Sequence, residues 1–128
     1  MTTIHMVIAD DEPRIGELLR RTFTAYLTSI RITVVADGEA ALDLCSSQHV
    51  DLLLTDYLMP TMNGSDLARA LRARGAQLLI VLMSGGNVDW AAVNMFGGLA
   101  ARQTTRRNAA CLPAGGTYHD RLALCRPR

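Results

Sequence analysis

Short apolar runs alternate along the chain with stretches whose apolar residues recur every three or four positions. The stretches between the runs have the periodicity of amphipathic helices and are predicted at residues 13–27, 39–47, 65–74 and 88–96. The runs have the length and composition of buried strands and lie at residues 4–9 (IHMVIA), 31–36 (RITVVA), 51–55 (DLLLT) and 78–83 (LLIVLM). This alternation predicts an α/β fold in which helices cover both faces of a parallel sheet.

The pattern weakens after Gly97 and Gly98. Residues 99–107 (LAARQTTRR) are compatible with an extension of the preceding helix, residues 109–113 (AACLP) with a fifth strand, and residues 117–125 (TYHDRLALC) with a last helix. We therefore expect one domain over residues 1–128, with an atypical C-terminal region at residues 99–128. Too little chain remains in this sequence for a second folded domain.

Composition indicates a cytoplasmic protein. No apolar run approaches the roughly 20 residues that a membrane-spanning helix needs, so no membrane association is expected. The opening residues, MTTIHMVIADDEP, carry acids where a signal peptide has its hydrophobic stretch. The cysteines are an odd number without metal-ligand spacing, which favours reduced thiols: Cys45, Cys111 and Cys125.

Charge is distributed unevenly although the net charge is only +1. Acids predominate over residues 1–101, whereas arginines predominate over residues 102–128. A basic tail is found in proteins that bind nucleic acid or an acidic partner, but it is also typical of a solvated chain end. The chain contains 13 arginines and no lysine.

Polar residues stand where three of the predicted strands end. Asp10 and Asp11 follow the first strand, Asp56 ends the third, and Ser84 follows the fourth. In an open α/β sheet the ligand site lies beyond the carboxyl ends of the strands, where the strand order reverses. With the common order 2-1-3-4-5 the first and third strands are neighbours, so the aspartates are expected to share one crevice.

Close carboxylates repel each other, and a shared proton or a cation is the usual remedy. Oxygen ligands with open positions suit Mg²⁺, which often bridges carboxylates to a phosphate. This favours Asp56 as a nucleophile for a phosphoryl group, with Ser84 binding its oxygens. Each residue alone has a simpler explanation: Asp10 and Asp11 as helix caps, the others as turn residues. Their joint placement at one sheet edge favours the chemical interpretation.

Several segments resemble the receiver domain of two-component response regulators. They are ADDEP, DLLLTDYLMPTMNG with LARALR after it, and LLIVLMSGG, and the resemblance covers roughly residues 3–98. It implies a flavodoxin-like, doubly wound sheet of five parallel strands in the order 2-1-3-4-5. It also implies that Asp56 is the phosphoacceptor and Ser84 the hydroxyl that senses the phosphoryl group. The implied Mg²⁺ site, with Mn²⁺ as an alternative metal, consists of Asp10, Asp11, Asp56 and the backbone carbonyl of Leu58.

The resemblance fails in the last quarter of the chain. Receivers normally end strand five with a Lys-Pro pair whose lysine contacts the phosphoryl group. Pro113 is the candidate proline here, which places Leu112 at the lysine position, and Arg106 or Arg107 are alternative cations. Arginine does not replace a lysine point charge well. We therefore expect a weak or absent conformational response to phosphorylation around residues 84–113.

The resemblance implies a phosphoacceptor signalling module of a two-component phosphorelay. The phosphoryl donor is expected to be a histidine kinase or a histidine phosphotransfer protein, and the output an unidentified protein, without direct DNA binding. Such a module is not an enzyme beyond self-catalysed phosphoryl transfer and dephosphorylation. Two alternatives remain: a degenerate receiver that binds proteins without a phosphorylation switch, and a metal-dependent phosphatase. The phosphatase is disfavoured because such enzymes commonly place a second aspartate where Leu58 stands.

Overall fold

The computed structural model describes residues 2–84, together with the backbone of residues 99–102 and 122–123. Three helices lie in the described part: α1 (Pro13–Tyr26), α2 (Gly38–Ser47) and α3 (Gly64–Ala73). None of these helices has both the length and the apolar composition needed to cross a membrane. Six strands form one sheet: β1 (Ile4–Ala9), β2 (Ile30–Val35), β3 (Leu52–Asp56), β4 (Leu79–Ser84), β5 (Leu99–Arg102) and β6 (Leu122–Ala123).

The strand order is β2-β1-β3-β4-β5-β6. All neighbouring pairs are parallel except β5 and β6, which run antiparallel. The first five strands thus have the flavodoxin-like order 2-1-3-4-5, and the predicted doubly wound fold is confirmed. Because the order reverses between β1 and β3, their carboxyl ends open a crevice at the top of the sheet.

Strand side chains alternate between two apolar layers, as the pleat requires. Met6 and Ile8 of β1 face α1, where they belong to a cluster that includes Leu19 and Phe23. The intervening residues of β1 face the opposite layer, which packs on α2 and α3: Val7 and Ala9 with Leu53, Ala41, Leu42, Leu67 and Leu71. Since both faces are covered, the central strands are apolar throughout, which explains why they were recognisable as unbroken runs.

The four early strands and the first three helices agree with the sequence predictions to within one or two residues at each end. Two predictions for the tail are wrong. Leu99–Arg102 forms strand β5 rather than an extension of a helix, and Leu122–Ala123 is a strand inside the stretch predicted as the last helix. Pairing with the open edge of β4 satisfies backbone groups and outweighs the helix propensity of leucine and alanine. The predicted helix at 88–96 and strand at 109–113 lie outside the described residues.

A polar group of side chains lies at the amino ends of the central strands. The His5 backbone N–H donates to Asp51 Oδ2 at 2.8 Å, and His5 Nε2 lies 3.0 Å from Thr33 Oγ1. His5 Nδ1 lies 2.9 Å from an Arg31 guanidinium nitrogen. The backbone N–H of His5, followed by His49, lowers the pKa of Asp51. His5 is therefore a buried histidine that joins β1, β2 and the segment before β3.

Helix α3 begins in contact with the tip of β3. A Cβ atom added to Gly64 would lie 2.5 Å from the Asp56 carbonyl oxygen and 2.9 Å from Leu82 Cδ2. The Gly64 N–H donates to the Tyr57 carbonyl at 2.8 Å, so the approach is held by a hydrogen bond. Only glycine allows the helix to begin this close to the backbone of Asp56.

We expect Gly64→Ala to lower the free energy of unfolding by about 2 to 3 kcal/mol, because the new methyl group meets backbone that has no room to move. Gly75→Ala is the matched control. Gly75 has a φ of +75° but open space around its Cα, so only the left-handed backbone is penalised, by about 1 to 2 kcal/mol. Urea denaturation of both variants measures the difference. A loss for Gly64→Ala no larger than for Gly75→Ala would contradict the steric explanation.

Candidate functional site

Three aspartates meet at the carboxyl edge of the sheet. Asp10 and Asp11 directly follow β1, and Asp56 is the last residue of β3. The two strands are paired in parallel up to Ala9 and Thr55, which brings both ends to the same level. Each aspartate offers a carboxylate oxygen within 4.8 Å of those of the other two. The structure thus brings together the three aspartates that the sequence placed in one crevice.

Asp10 is the buried member of this cluster, with 5% of its surface exposed. Its backbone N–H donates to the Val35 carbonyl at 3.1 Å, and its Oδ1 accepts the Glu12 N–H at 2.8 Å. Helix α1 is capped by Glu12, whose carboxylate accepts the Arg14 N–H at 3.4 Å. Neither Asp10 nor Asp11 is therefore the N-cap of α1. Helix capping, the simpler explanation considered for these two aspartates, does not account for their position.

Asp56 is half-buried at the tip of β3. The Tyr57 N–H donates to the Met83 carbonyl at 2.7 Å, so the chain just after Asp56 remains attached to β4. Asp56 Oδ1 lies 3.4 Å from the Leu58 N–H, a long hydrogen bond from the following loop. The Leu58 side chain is 61% exposed. The carboxylate is thus held at a fixed point beside an accessible loop.

The cluster lines a cleft of about 160 Å³. Ser84, at the end of β4, also lines it and is only 3% exposed. Three further lining residues were not singled out from the sequence: Glu12, Ile15 and Met83. Glu12 follows directly on Asp10 and Asp11, so its position in ADDEP was a usable signal. Ile15 and Met83 gave no signal, because apolar residues in a helix and a strand indicate packing.

The carboxylates of the cleft disfavour one another's ionised form. Burial, followed by the charges of Asp11 and Glu12, raises the pKa of Asp10 against the lowering effect of the Glu12 N–H. Burial and then the charge of Asp10 raise the pKa of Asp56. A bound cation would relieve this repulsion, and oxygen ligands are those preferred by Mg²⁺. The donor set therefore fits a hard divalent cation.

Comparison with known protein families identifies the chain. A sequence model of the response regulator receiver domain matches residues 6–102. The chain belongs to this family. Receiver domains are the phosphoacceptor signalling modules of two-component systems, and this membership does not favour the degenerate receiver or the phosphatase. The match ends at Arg102. It therefore does not include Leu112, Arg106 or Arg107, the residues considered for the position of the lysine that receivers normally have on strand five.

Two curated relatives that the chain resembles are much longer proteins. The transcriptional regulatory protein MalR of Bacillus subtilis is 29% identical over 85 residues, which are 66% of this chain and 36% of MalR. The sensor protein EvgS of Escherichia coli is 40% identical over 77 residues, which are 60% of this chain and 6% of EvgS. This receiver domain thus corresponds to a minor part of each relative's length.

Solved receiver domains share the fold. The signal receiver domain of the putative response regulator NarL from Mycobacterium tuberculosis is 26% identical with a TM-score of 0.73, covering 83% of this chain and 89% of that one. TrrA from Thermotoga maritima, solved in complex with Mg²⁺ and BeF, is 23% identical with a TM-score of 0.70, covering 84% and 91%. The latter likeness is evidence for the fold alone.

We expect Asp56→Asn to raise the free energy of unfolding of the metal-free receiver domain at pH 7 by about 1 to 3 kcal/mol, since it removes one of several repelling charges. A carboxyl group whose pKa is raised by folding makes the folded state less stable as the pH rises from 3.8 through the raised pKa. The gain should therefore disappear as the pH falls toward 3.8. Urea denaturation with a chelator present measures it.

Asp51→Asn is the control for this experiment. Folding lowers the pKa of Asp51, so the charge of Asp51 stabilises the fold above its ordinary pKa and that stability is lost as the pH falls. The substitution should consequently destabilise the protein at pH 7. If both substitutions changed the free energy of unfolding at pH 7 in the same direction, the charge repulsion could not be assigned to the cleft.

Proposed function

We propose that Asp56 is the phosphoacceptor of this receiver domain and takes its phosphoryl group from a phosphohistidine on a histidine kinase or histidine phosphotransfer protein. The observation that carries the proposal is the position of Asp56. It ends a buried strand, is half-buried, and shares an open cleft with three further carboxyl groups and the Ser84 hydroxyl. A nucleophile held at a strand tip has a fixed direction of attack, which lowers the entropic part of the barrier.

The transfer requires one bond to form and one to break. A carboxylate oxygen of Asp56 attacks the phosphorus atom, and the N–P bond to the donor imidazole breaks with its electron pair leaving to nitrogen. The product is an acyl phosphate on Asp56 and a histidine that takes up a proton from solvent. The Ser84 hydroxyl donates a hydrogen bond to a phosphoryl oxygen. Self-catalysed dephosphorylation is the corresponding attack of water on the acyl phosphate.

Asp10, Asp11, Asp56 and the backbone carbonyl of Leu58 would hold the metal, Mg²⁺ or alternatively Mn²⁺. When bound, the cation supplies positive charge to the transferring phosphoryl group. Asp10 is fixed by the Glu12 N–H, so its role is to orient the site and to contact the metal mainly through water. Asp11 is exposed and free to turn toward the cation, which suits a direct ligand.

The remaining functional assignments extend this proposal. Residues 1–128 form a single receiver-like domain whose region 99–128 is atypical. Its output is a change in binding to another protein, which does not involve direct DNA binding by this segment. The cytoplasmic location indicated by the cysteines stays a prediction, as does a weak or absent conformational response around residues 84–113.

Asp11→Ala is expected to abolish saturable Mg²⁺ binding by the metal-free protein, because it removes the proposed direct ligand. Asp43→Ala is the control, since Asp43 is an exposed carboxylate on helix α2, away from the cleft residues. Isothermal titration calorimetry at millimolar Mg²⁺ measures both variants against the wild type. A wild type without a saturable site, or an Asp11→Ala variant with undiminished affinity, would remove the metal from the proposal.

Incubation with Mg²⁺ and acetyl phosphate is expected to add one phosphoryl group, labile to hydroxylamine, to the wild type and to Asp43→Asn but not to Asp56→Asn. Intact-protein mass spectrometry counts the groups. Label that survives Asp56→Asn would exclude Asp56 as the acceptor. The same assay separates the alternatives, because a degenerate receiver forms no product and a phosphatase releases many equivalents of phosphate.

A further inference from the structure

One nitrogen atom of the buried His5 imidazole has two close neighbours that it cannot bind at the same time. His5 Nδ1 lies 2.9 Å from an Arg31 guanidinium nitrogen and 3.0 Å from the His49 carbonyl oxygen. A guanidinium can only donate a hydrogen bond, and a carbonyl oxygen can only accept one. Nδ1 therefore binds Arg31 when it carries a lone pair, and it binds the His49 carbonyl when it carries a proton.

The other ring nitrogen keeps the same partner in both cases. His5 Nε2 lies 3.0 Å from Thr33 Oγ1. Since the contact with Arg31 requires a lone pair on Nδ1, the single proton of the neutral imidazole lies on Nε2 and is donated to the Thr33 hydroxyl. A second proton from solvent can then be added only at Nδ1. Protonation thus changes the partner of Nδ1 and leaves the bond to Thr33 in place.

The charged groups that face His5 come from two neighbouring segments. Strand β2 contributes Arg31, which is the register partner of His5 in the pairing of β1 with β2. The segment before β3 contributes Asp51, whose Oδ2 accepts the His5 backbone N–H and whose Oδ1 lies 2.9 Å from His49 Nε2. Within residues 2–84, no helix provides a hydrogen-bonding partner for the imidazole. A proton on His5 is therefore opposed by Arg31 and favoured by Asp51.

We propose that His5 is a pH-sensitive switch, in which a proton taken up from solvent by Nδ1 releases the Arg31 guanidinium and brings the His49 carbonyl in as the new partner. Imidazole is the side-chain group that ordinarily changes charge between pH 5 and 8. In the neutral state the Arg31 side chain ties β2 to β1. In the charged state two cations repel each other, and this tie is lost.

The switch acts on the edge of the sheet. Strand β2 is the first strand in the sheet order and pairs only with β1, so the loss of a side-chain tie affects the strand with the fewest neighbours. The switch lies at the amino ends of the strands, whereas the cleft lies at their carboxyl ends. The inference therefore goes beyond the proposed function and does not depend on Asp56 as an acceptor.

NMR spectroscopy of the full chain at about pH 7.5 and about pH 5, on either side of the range in which imidazoles titrate, tests the inference. At the higher pH the Arg31 Nη protons should give separate signals, because the hydrogen bond to Nδ1 hinders rotation of the guanidinium. The ¹⁵N shift of Nδ1 should be that of a nitrogen with a lone pair. At the lower pH the separate Arg31 signals should be lost, and an Nδ1–H signal should appear that exchanges slowly with solvent, since His5 is buried.

Two variants separate His5 from the second histidine of this group. His5→Gln removes the titrating ring, so the Arg31 signals should be the same at both pH values. His49→Gln removes an exposed imidazole that pairs with Asp51 but retains the backbone carbonyl that His5 is proposed to bind. This variant should respond to pH as the wild type does.

The wild-type spectra alone can overturn the inference, whether or not the variants fold. A His5 ring that is neutral at both pH values overturns it, and so do Arg31 signals that stay unchanged while Nδ1 takes up a proton. Averaged Arg31 signals at both pH values also overturn it, because no bond to Nδ1 then exists. A response that persists in His5→Gln or vanishes in His49→Gln belongs to His49 and has the same consequence.

Discussion

Repulsion between carboxylates that the sheet forces together is the interaction on which the site depends. Three aspartates at the ends of neighbouring parallel strands offer oxygens within 4.8 Å of one another. The fold keeps them there because β1 and β3 are paired, and because Asp10 is buried and accepts the Glu12 N–H. Burial and mutual charge raise the pKa values of Asp10 and Asp56. The sheet thus holds the carboxylates in an unfavourable electrostatic arrangement that a bound cation would relieve.

The sequence predicted the first two thirds of the fold because local and tertiary preferences agree there. Strands buried on both faces must be apolar throughout, and helices covering them must be amphipathic, so each pattern has one interpretation. The tail differs. Leu99–Arg102 has the composition of a helix, yet it pairs with β4. Its structure is decided by pairing with the open edge of β4, which is a tertiary contact. The local sequence pattern of residues 99–102 contains no information about that contact.

The same distinction applies to the site. Asp10, Asp11, Asp56 and Ser84 were predictable because a polar residue that ends a buried strand of known order has a defined location. Glu12 was not singled out from the sequence, although it caps α1 and leaves Asp10 to the loop. The three residues considered for the missing lysine, Leu112, Arg106 and Arg107, lie outside the described residues, so that expectation stays a prediction.

The hydrogen-bonded group around His5 makes the amino end of the sheet chemically different from its carboxyl end. At the amino end the Asp51 carboxylate takes the His5 N–H, and the imidazole contacts both Thr33 and Arg31, so three segments are tied by side chains. At the carboxyl end the same strands finish in charges that repel. A change of charge in the cleft therefore acts on the carboxyl ends of strands whose amino ends are joined by side-chain hydrogen bonds, so the two ends of the sheet differ in their response to charge.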